Sequence, residues 1–256
     1  MIAGRAPLVL ALVVLAACGR DEGGCATPRA ATPLDHATAG TITGTVTFEG
    51  SPPSMQPLPL GGEPACAAQH AGPVLAGDAL VHEGRVENVL VYIKDGLGDR
   101  VFPVPDDAVI IDQVGCLYRP HVTAAQACQP IEFRNSDAVL HNVHGTPEHS
   151  SAWNFSMARA GTQRAVRVAK PEVMIEVRCD VHPWMRAYLG VLDHPYFAVT
   201  GPEGRFRLPD VPPGDYVVAS WHERFGVREA RVTVGPRETK DVALAYAAAA
   251  QPRGGN

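Results

Sequence analysis

The sequence predicts an all-β protein that contains two β-sandwiches. Short runs rich in Val, Ile, Thr, Tyr and Phe alternate with turns rich in glycine and proline, and long amphipathic helical patterns are absent. The 256 residues include 25 Gly and 23 Pro, and a hydrophobic fraction of 46% suffices for a buried core. The formal charge of -5 includes no block of like charges, which argues against nucleic acid as a partner.

Residues 1–18 have the pattern of an export signal. Arg5 precedes an apolar run that ends at Leu15, which is shorter than the roughly 20 residues of a membrane-spanning helix. The segment Leu15-Ala-Ala-Cys18 resembles a bacterial lipobox. That resemblance implies that Cys18 is lipidated and anchors the protein on the periplasmic side, at the outer membrane; ordinary cleavage or a membrane span are the alternatives.

The terminal regions outside the sandwiches lack a hydrophobic period. Residues 19–40 are rich in Gly, Asp, Glu, Pro, Ala and Thr, and we predict that they form a flexible tether. Residues 248–256 are predicted to be a disordered tail.

The first strand is predicted at residues 41–49, because Ile42, Val46 and Phe48 alternate with polar residues and lie on one face. A second strong strand is predicted at residues 86–94. Further short strands follow at a spacing typical of sandwiches. They are predicted at residues 109–111, 130–134, 173–178, 188–192, 197–200, 204–208, 215–220, 230–234 and 239–245.

Three separated pieces resemble one known module. They begin at Gly44-Thr-Val, at Asn88-Val-Leu-Val-Tyr-Ile and at Gly204-Arg-Phe-Arg-Leu, and they are similar to the carboxypeptidase regulatory-like (transthyretin-like) β-sandwich. In that family the last two pieces lie close in sequence. Because a surface loop tolerates a long insertion, we predict a second domain within this sandwich; two sandwiches in series are the alternative. The predicted boundaries are 41–104 and 194–247 for the regulatory-like sandwich and 105–193 for the inserted domain.

The inserted region contains side chains that bind metal ions. In Cys179-Asp-Val-His182-Pro-Trp-Met185 a thiolate, an imidazole and a thioether are three residues apart, so one short loop can surround an ion. Upstream, His141 supplies a second imidazole after a predicted strand. Two imidazoles, one thiolate and a weak axial thioether are the ligand set of electron-transfer copper sites.

These residues resemble the plastocyanin and amicyanin branch of the cupredoxins over about residues 105–193. The resemblance implies a Greek-key β-sandwich with one type I (blue) copper ion. His141, Cys179 and His182 would be equatorial ligands, and Met185 would be the axial ligand. His182 would be the point at which the electron leaves.

The same resemblance implies roles for neighbouring residues. Asn142 would offer its backbone N–H to the Cys179 sulfur, and Asn135 would tie the two ligand loops together. Pro183 follows the ligand histidine as in amicyanin. Trp184 is either a core residue or the border of an apolar electron-transfer patch over the exposed imidazole edge.

Six cysteines in an exported chain suggest disulfides. With Cys18 assigned to lipid and Cys179 to metal, three pairings remain for the other four. We favour a bridge between Cys66 and Cys116. Cys25, which lies in the tether, is the cysteine least expected to pair within the fold. A disulfide at Cys179 is the alternative to the metal site.

The remaining histidines have simpler interpretations. A second metal site could include His144 and His149, although surface histidines in loops are commoner. His121 and His222 are predicted to be structural or solvent-facing. The chain has no additional His ligands of a multicopper oxidase, no haem motif, no Walker loop and no nucleophile elbow, so we do not expect an enzyme.

Three functions remain open. The first is a tethered one-electron carrier with a cytochrome, a dehydrogenase or an oxidase as its redox partner. The second is a copper protein for sequestration or delivery, and the third is a structural or interaction lipoprotein that needs no metal.

Overall fold

The computed structural model describes residues 24–25 and 29–248, which form an almost entirely β structure. The predicted all-β fold class is confirmed. The predicted signal peptide with Cys18 lies outside the described residues, as does the predicted tail after residue 248. No helix in the described part of the chain is long and apolar enough to span a membrane.

The described residues contain one 3-10 turn at Leu60–Gly62, one short helix, α1, at Pro64–Ala67, and eighteen strands. The strands are β1 (Gly40–Glu49), β2 (Val81–His82), β3 (Arg85–Val86), β4 (Leu90–Asp95), β5 (Val109–Gln113), β6 (Tyr118–Arg119), β7 (Val122–Gln126), β8 (Ile131–Asn135), β9 (His141–Gly145), β10 (Trp153–Met157), β11 (Thr162–Val166), β12 (Glu172–Arg178), β13 (Arg186–Leu192), β14 (Phe197–Val199), β15 (Arg205–Val211), β16 (Gly214–His222), β17 (Gly226–Val234) and β18 (Thr239–Ala247).

The first sandwich consists of two sheets that share one core. In one sheet β1 pairs antiparallel with β15 and parallel with β18, and the second sheet has the order β14-β4-β16-β17. Ile42, Leu208 and Tyr246 are fully buried between the sheets. The buried residues come from 42–93 and from 196–246, so they flank the second sandwich along the chain.

The second sandwich packs a sheet of order β10-β9-β12-β13-β7 against a sheet of order β11-β8-β5-β6. Its core contains Phe133 and Leu189, and it also contains Leu60 and Cys66 from the segment before β2. The predicted boundary at residue 105 is therefore wrong for that segment. A disulfide from Cys66 to Cys116 holds α1 against the second sandwich.

The prediction of a flexible tether at residues 19–40 is wrong where the structure describes that segment. Cys25 forms a disulfide with Cys128, so the prediction that Cys25 stays outside the fold is also wrong. Thr32 exchanges two hydrogen bonds with Val101, at 2.8 Å and 3.0 Å. These contacts are made by residues far apart in sequence, and composition carries no information about them.

The two sandwiches meet along a small apolar interface. Leu90 of β4 packs with Val122 and Leu192, and a Cβ on Gly190 would lie 2.5 Å from the Leu90 side chain. Glycine at position 190 is therefore required for this close approach. A hydrogen bond between the His121 ring and the Glu223 carboxylate joins the sandwiches beside the apolar contacts.

His222 provides a pH-dependent contribution to the stability of the first sandwich. Its side chain is buried, accepts a hydrogen bond from the Arg224 N–H at 3.1 Å and stacks on Phe225. Burial lowers the pKa of His222 to about 4. Between pH 6.5 and pH 4 the unfolded chain takes up a proton there that the folded chain does not, so stability falls as pH falls through this range, by about 3 kcal/mol in total.

We expect His222→Gln to show a flatter decline of the unfolding free energy than the wild type between pH 6.5 and pH 4. Denaturant unfolding at several pH values measures both slopes. His36→Gln is the matched control, because the His36 side chain is 74% exposed. Parallel slopes for the wild type and His222→Gln would contradict the expectation.

Candidate metal centre

Strand pairing brings the two predicted ligand segments to one end of the second sandwich. β9 begins with His141, and Cys179 follows the last residue of β12. The two strands are antiparallel neighbours, with Arg178 opposite His144. Since the start of one antiparallel strand lies beside the end of the other, His141 and Cys179 meet although 38 positions in the sequence separate them.

The loop between β12 and β13 is closed by its own backbone. The Cys179 N–H donates to the Met185 carbonyl at 3.1 Å, and the Met185 N–H donates to the His182 carbonyl at 2.9 Å. These bonds turn the chain back on itself within seven residues. Cys179, His182 and Met185 are consequently all buried, with at most 2% exposure.

Three potential ligand atoms converge in this pocket. The Nδ1 atoms of His141 and His182 are 3.1 Å apart, and the Cys179 sulfur is 3.7 Å from His182 Nδ1. Metal–nitrogen bonds of about 2.0 Å and metal–sulfur bonds of about 2.3 Å place ligand atoms about 3.3 Å (N to N) and about 3.6 Å (N to S) apart. The residues therefore fit a single metal ion, and Cys179 is a free thiol rather than half of a disulfide.

The Cys179 sulfur lies in a fixed polar environment. The backbone N–H of Asn142 donates to it at 3.3 Å, the contact that the cupredoxin resemblance implies. The buried Tyr118 hydroxyl donates to the carbonyl of Asn142 at 2.6 Å and to that of Arg178 at 3.2 Å. Burial raises the pKa of Tyr118, so the phenol stays protonated and keeps the two ligand strands together.

Asp137 is a buried carboxylate that orients His141. Its Oδ2 accepts from His141 Nε2 at 2.8 Å, which leaves Nδ1 free for an ion. The same carboxylate accepts the backbone N–H groups of Gly115 and Cys116, each at 2.8 Å. Asp137 therefore links the His141 loop to the turn that contains Cys116. Asp137 was not among the residues predicted from the sequence.

The prediction that Asn135 ties the two ligand loops together is wrong. Its side chain donates to the carbonyls of Val139 and Met157, and its oxygen accepts the Asp137 N–H at 2.9 Å, so it ties the His141 loop to the end of β10. The tie between the loops is Asn142, whose side-chain oxygen accepts the Asp180 N–H at 3.2 Å. Asn135 stands at the end of β8, and its side-chain hydrogen bonds go to Val139, Met157 and Asp137 rather than to the Cys179 loop.

The predicted exposed edge of His182 is also wrong. The residue is 1% exposed, and its outer nitrogen, Nε2, faces the Cys66 sulfur at 3.8 Å. Burial, followed by the neighbouring His141, lowers the pKa of His182, so the ring is neutral at pH 7. Trp184 packs on the ring at 5.1 Å between centroids and donates from Nε1 to the Cys116 carbonyl at 3.1 Å, while Pro183 is exposed.

His144 and His149 do not join a metal cluster in the described part of the chain. His144 Nδ1 pairs with Asp180 at 3.0 Å, and the His149 backbone binds Glu172. A second close group consists of Cys116, Asp137 and His141, but Cys116 is bound in its disulfide. His121 lies in the sandwich interface and His222 in the first sandwich, and neither belongs to these groups in the described residues.

No family model and no curated protein match the chain. Among solved structures, a purple cupredoxin from Nitrosopumilus maritimus is 16% identical over 32% of this chain and 98% of its own, with a TM-score of 0.29. A copper-containing nitrite reductase from Thermus scotoductus SA-01 is 20% identical over 39% of this chain and 25% of its own, with a TM-score of 0.29. An amicyanin variant in the Cu(I) form is 18% identical over 40% of this chain and 97% of its own, with a TM-score of 0.30. Likeness at this level carries no functional conclusion.

The residues that the sequence analysis missed had weak or no signals. An acidic residue four positions before a candidate ligand histidine, as Asp137 precedes His141, is a pattern that could have been weighed. Tyr118 is 61 positions away from Cys179 in the sequence, and no local pattern marks it. Cys66 was predicted as a disulfide partner, but its contact with His182 was not, because it is 113 positions away from Cys179.

Proposed function

We propose that this protein binds one copper ion in a type I site and carries single electrons. The observation that carries the proposal is the convergence of His141 Nδ1, His182 Nδ1 and the Cys179 sulfur in one buried pocket. The ion would supply a one-electron couple between Cu(II) and Cu(I). The protein supplies fixed ligands that change little between the two states.

The donor set favours copper over other ions. Thiolate and thioether sulfur are soft ligands that suit Cu(I), and imidazole suits both oxidation states. Met185, at the end of the ligand loop, is buried in the same core cluster as Cys179. The Asn142 N–H on the sulfur and the Asp137 carboxylate on His141 hold two of the three ligands from outside, which supports a site of constant geometry.

Burial of the ligands favours electron transfer over copper delivery. Delivery requires an acceptor to exchange ligands with the ion, whereas an electron can pass through the intervening atoms. Cys179, His141 and His182 are at most 2% exposed. A closed site without a free ligand edge also supports a role as a carrier rather than an enzyme.

The surroundings suggest how a redox partner would dock. Leu140 and Val181 each precede a ligand histidine and are exposed by 45% and 44%. Such apolar side chains fit a brief contact with a cytochrome, a dehydrogenase or an oxidase. Lipidation at Cys18 would keep the protein at the periplasmic side of a membrane, near such partners.

The test is a titration of the mature protein with Cu(II), followed by reduction and reoxidation. We expect an intense visible band from one bound ion per chain, lost on reduction and recovered on reoxidation. Colourless binding of Cu(I) alone would favour sequestration or delivery. An absence of copper binding would favour the interaction lipoprotein.

A further inference from the structure

A single disulfide lies against the outer edges of both candidate ligand imidazoles. The Cys66 sulfur is 3.8 Å from His182 Nε2. The Cys116 sulfur is within 4.8 Å of a ring nitrogen of His141 and of the Asp137 carboxylate. Neither cysteine has any exposed surface, so the disulfide is part of the interior of the molecule.

The disulfide is held in this position from several directions. Asp137 binds the backbone of the turn at Cys116, and Trp184 in the ligand loop donates to the Cys116 carbonyl. His70, just after α1, bonds to the Gly115 carbonyl at 2.8 Å. The disulfide and the turn at Cys116 are thus bonded to the His141 loop and to the Cys179 loop.

The chemistry of the contact between the disulfide and His182 suits a barrier to water. When Nδ1 of each histidine binds an ion, the ring proton stays on Nε2. On His141 that proton meets the Asp137 carboxylate, but on His182 it meets a disulfide sulfur, which is only a weak acceptor. The sulfur excludes water from this edge without contributing a strong bond of its own.

We propose that the Cys66–Cys116 disulfide is a positioning group that closes the copper centre, holding His182 in place and keeping external ligands from the ion. The inference rests on the proposed copper function. It assigns to this bridge a role at the centre beyond the general stabilisation that a disulfide provides. The bridge closes the outer edge of His182 while the centre loses and gains electrons.

The test compares the removal of each disulfide in the copper-loaded protein. We expect Cys66→Ala/Cys116→Ala to release Cu(I) to a strong Cu(I) chelator, bathocuproine disulfonate, about tenfold faster than the wild type or more. Its Cu(II) spectrum should also change when imidazole is added, because the His182 edge is open. The wild-type spectrum should be unaffected by imidazole.

The matched control is Cys25→Ala/Cys128→Ala. This bridge spans 103 residues against 50 for the other. Its removal should therefore lower the stability of the folded chain at least as much, because a longer loop is released in the unfolded chain. Cys128 precedes β8, and Asn135, which contacts the His141 loop, is at the other end of that strand. The length of β8, roughly 16 Å, therefore separates the control disulfide from the candidate centre. The control should release copper at the wild-type rate and show no response to imidazole.

Three outcomes would overturn the proposal. They are wild-type release by the Cys66→Ala/Cys116→Ala variant, equal acceleration in both double variants, and a wild-type spectrum that responds to imidazole. The last result needs no variant and holds even if the Cys66→Ala/Cys116→Ala chain fails to fold. A wild type that binds no copper overturns the proposed function itself, whereas the three outcomes above leave that function intact.

Discussion

Cys179→Ala is expected to abolish the visible absorption of the Cu(II) protein completely and to weaken Cu(II) binding severely. The thiolate is the source of the intense band and the softest ligand of the set, and the described residues place no other free thiol in the pocket. Cys179→Ser should give the same spectroscopic result with a smaller change in packing. Its hydroxyl can still accept the Asn142 N–H that now donates to sulfur.

The matched control for Cys179 is His144→Gln. His144 lies in the same strand as His141 and is bonded to Asp180, the residue after Cys179, but it contacts no candidate ligand atom. Its replacement should leave the band intact. An unchanged spectrum in Cys179→Ala would refute the copper assignment, and loss of the band in His144→Gln would show that the ligand set is incomplete.

Asp137→Asn is expected to lower Cu(II) affinity by about 10- to 100-fold and to raise the Cu(II)/Cu(I) potential. The carboxylate orients His141 and adds negative charge near the ion, which stabilises Cu(II) more than Cu(I). The potential rises by about 59 mV for each factor of ten by which the loss of Cu(II) affinity exceeds the loss of Cu(I) affinity. All three partners of Asp137 donate hydrogen bonds to its carboxylate. The NH2 group of an asparagine at this position would face one of these donors, so a hydrogen bond would be lost.

Competition titrations with Cu(II) and Cu(I) chelators, together with redox titration, measure these changes. Asp112→Asn is the matched control, because Asp112 accepts from Ser136 at 2.7 Å in the same region but contacts no ligand residue. A merely structural role for Asp137 would lower the melting temperature and leave the potential at the wild-type value. That result would contradict the expectation.

The fold class and the candidate ligand residues could be predicted because their signals are local. β1 has a strict alternation over ten residues, and the loop from Cys179 to Met185 holds three candidate ligands within seven residues. Predicted strand ends differ from the structure by a few residues, as at β4, where the positive φ of 61° at Asn88 separates it from β3. Such a break depends on the backbone angle of a single residue.

The rest could not be predicted because it depends on contacts between distant residues. Strands β7, β9 and β11 have no clear alternation, and their neighbours in the sheets define them. The Cys25–Cys128 pairing and the contact between Cys66 and His182 arise from the path of the chain before the second sandwich. Four cysteines allow three pairings. The favoured Cys66–Cys116 bridge is confirmed, but the sequence did not indicate that Cys25 pairs with Cys128.

The parallel pairing of β1 with β18 orders the assembly of the chain in time. Synthesis begins at the N-terminus, so β1 gains its parallel neighbour only when residues 239–247 have been added, after its antiparallel neighbours β3 and β15. Residues 109–192, which supply all nine strands of the second sandwich, and the segment that covers His182 are complete earlier. The end of the second sandwich that holds the candidate ligands can therefore fold first, while the first sandwich is completed last.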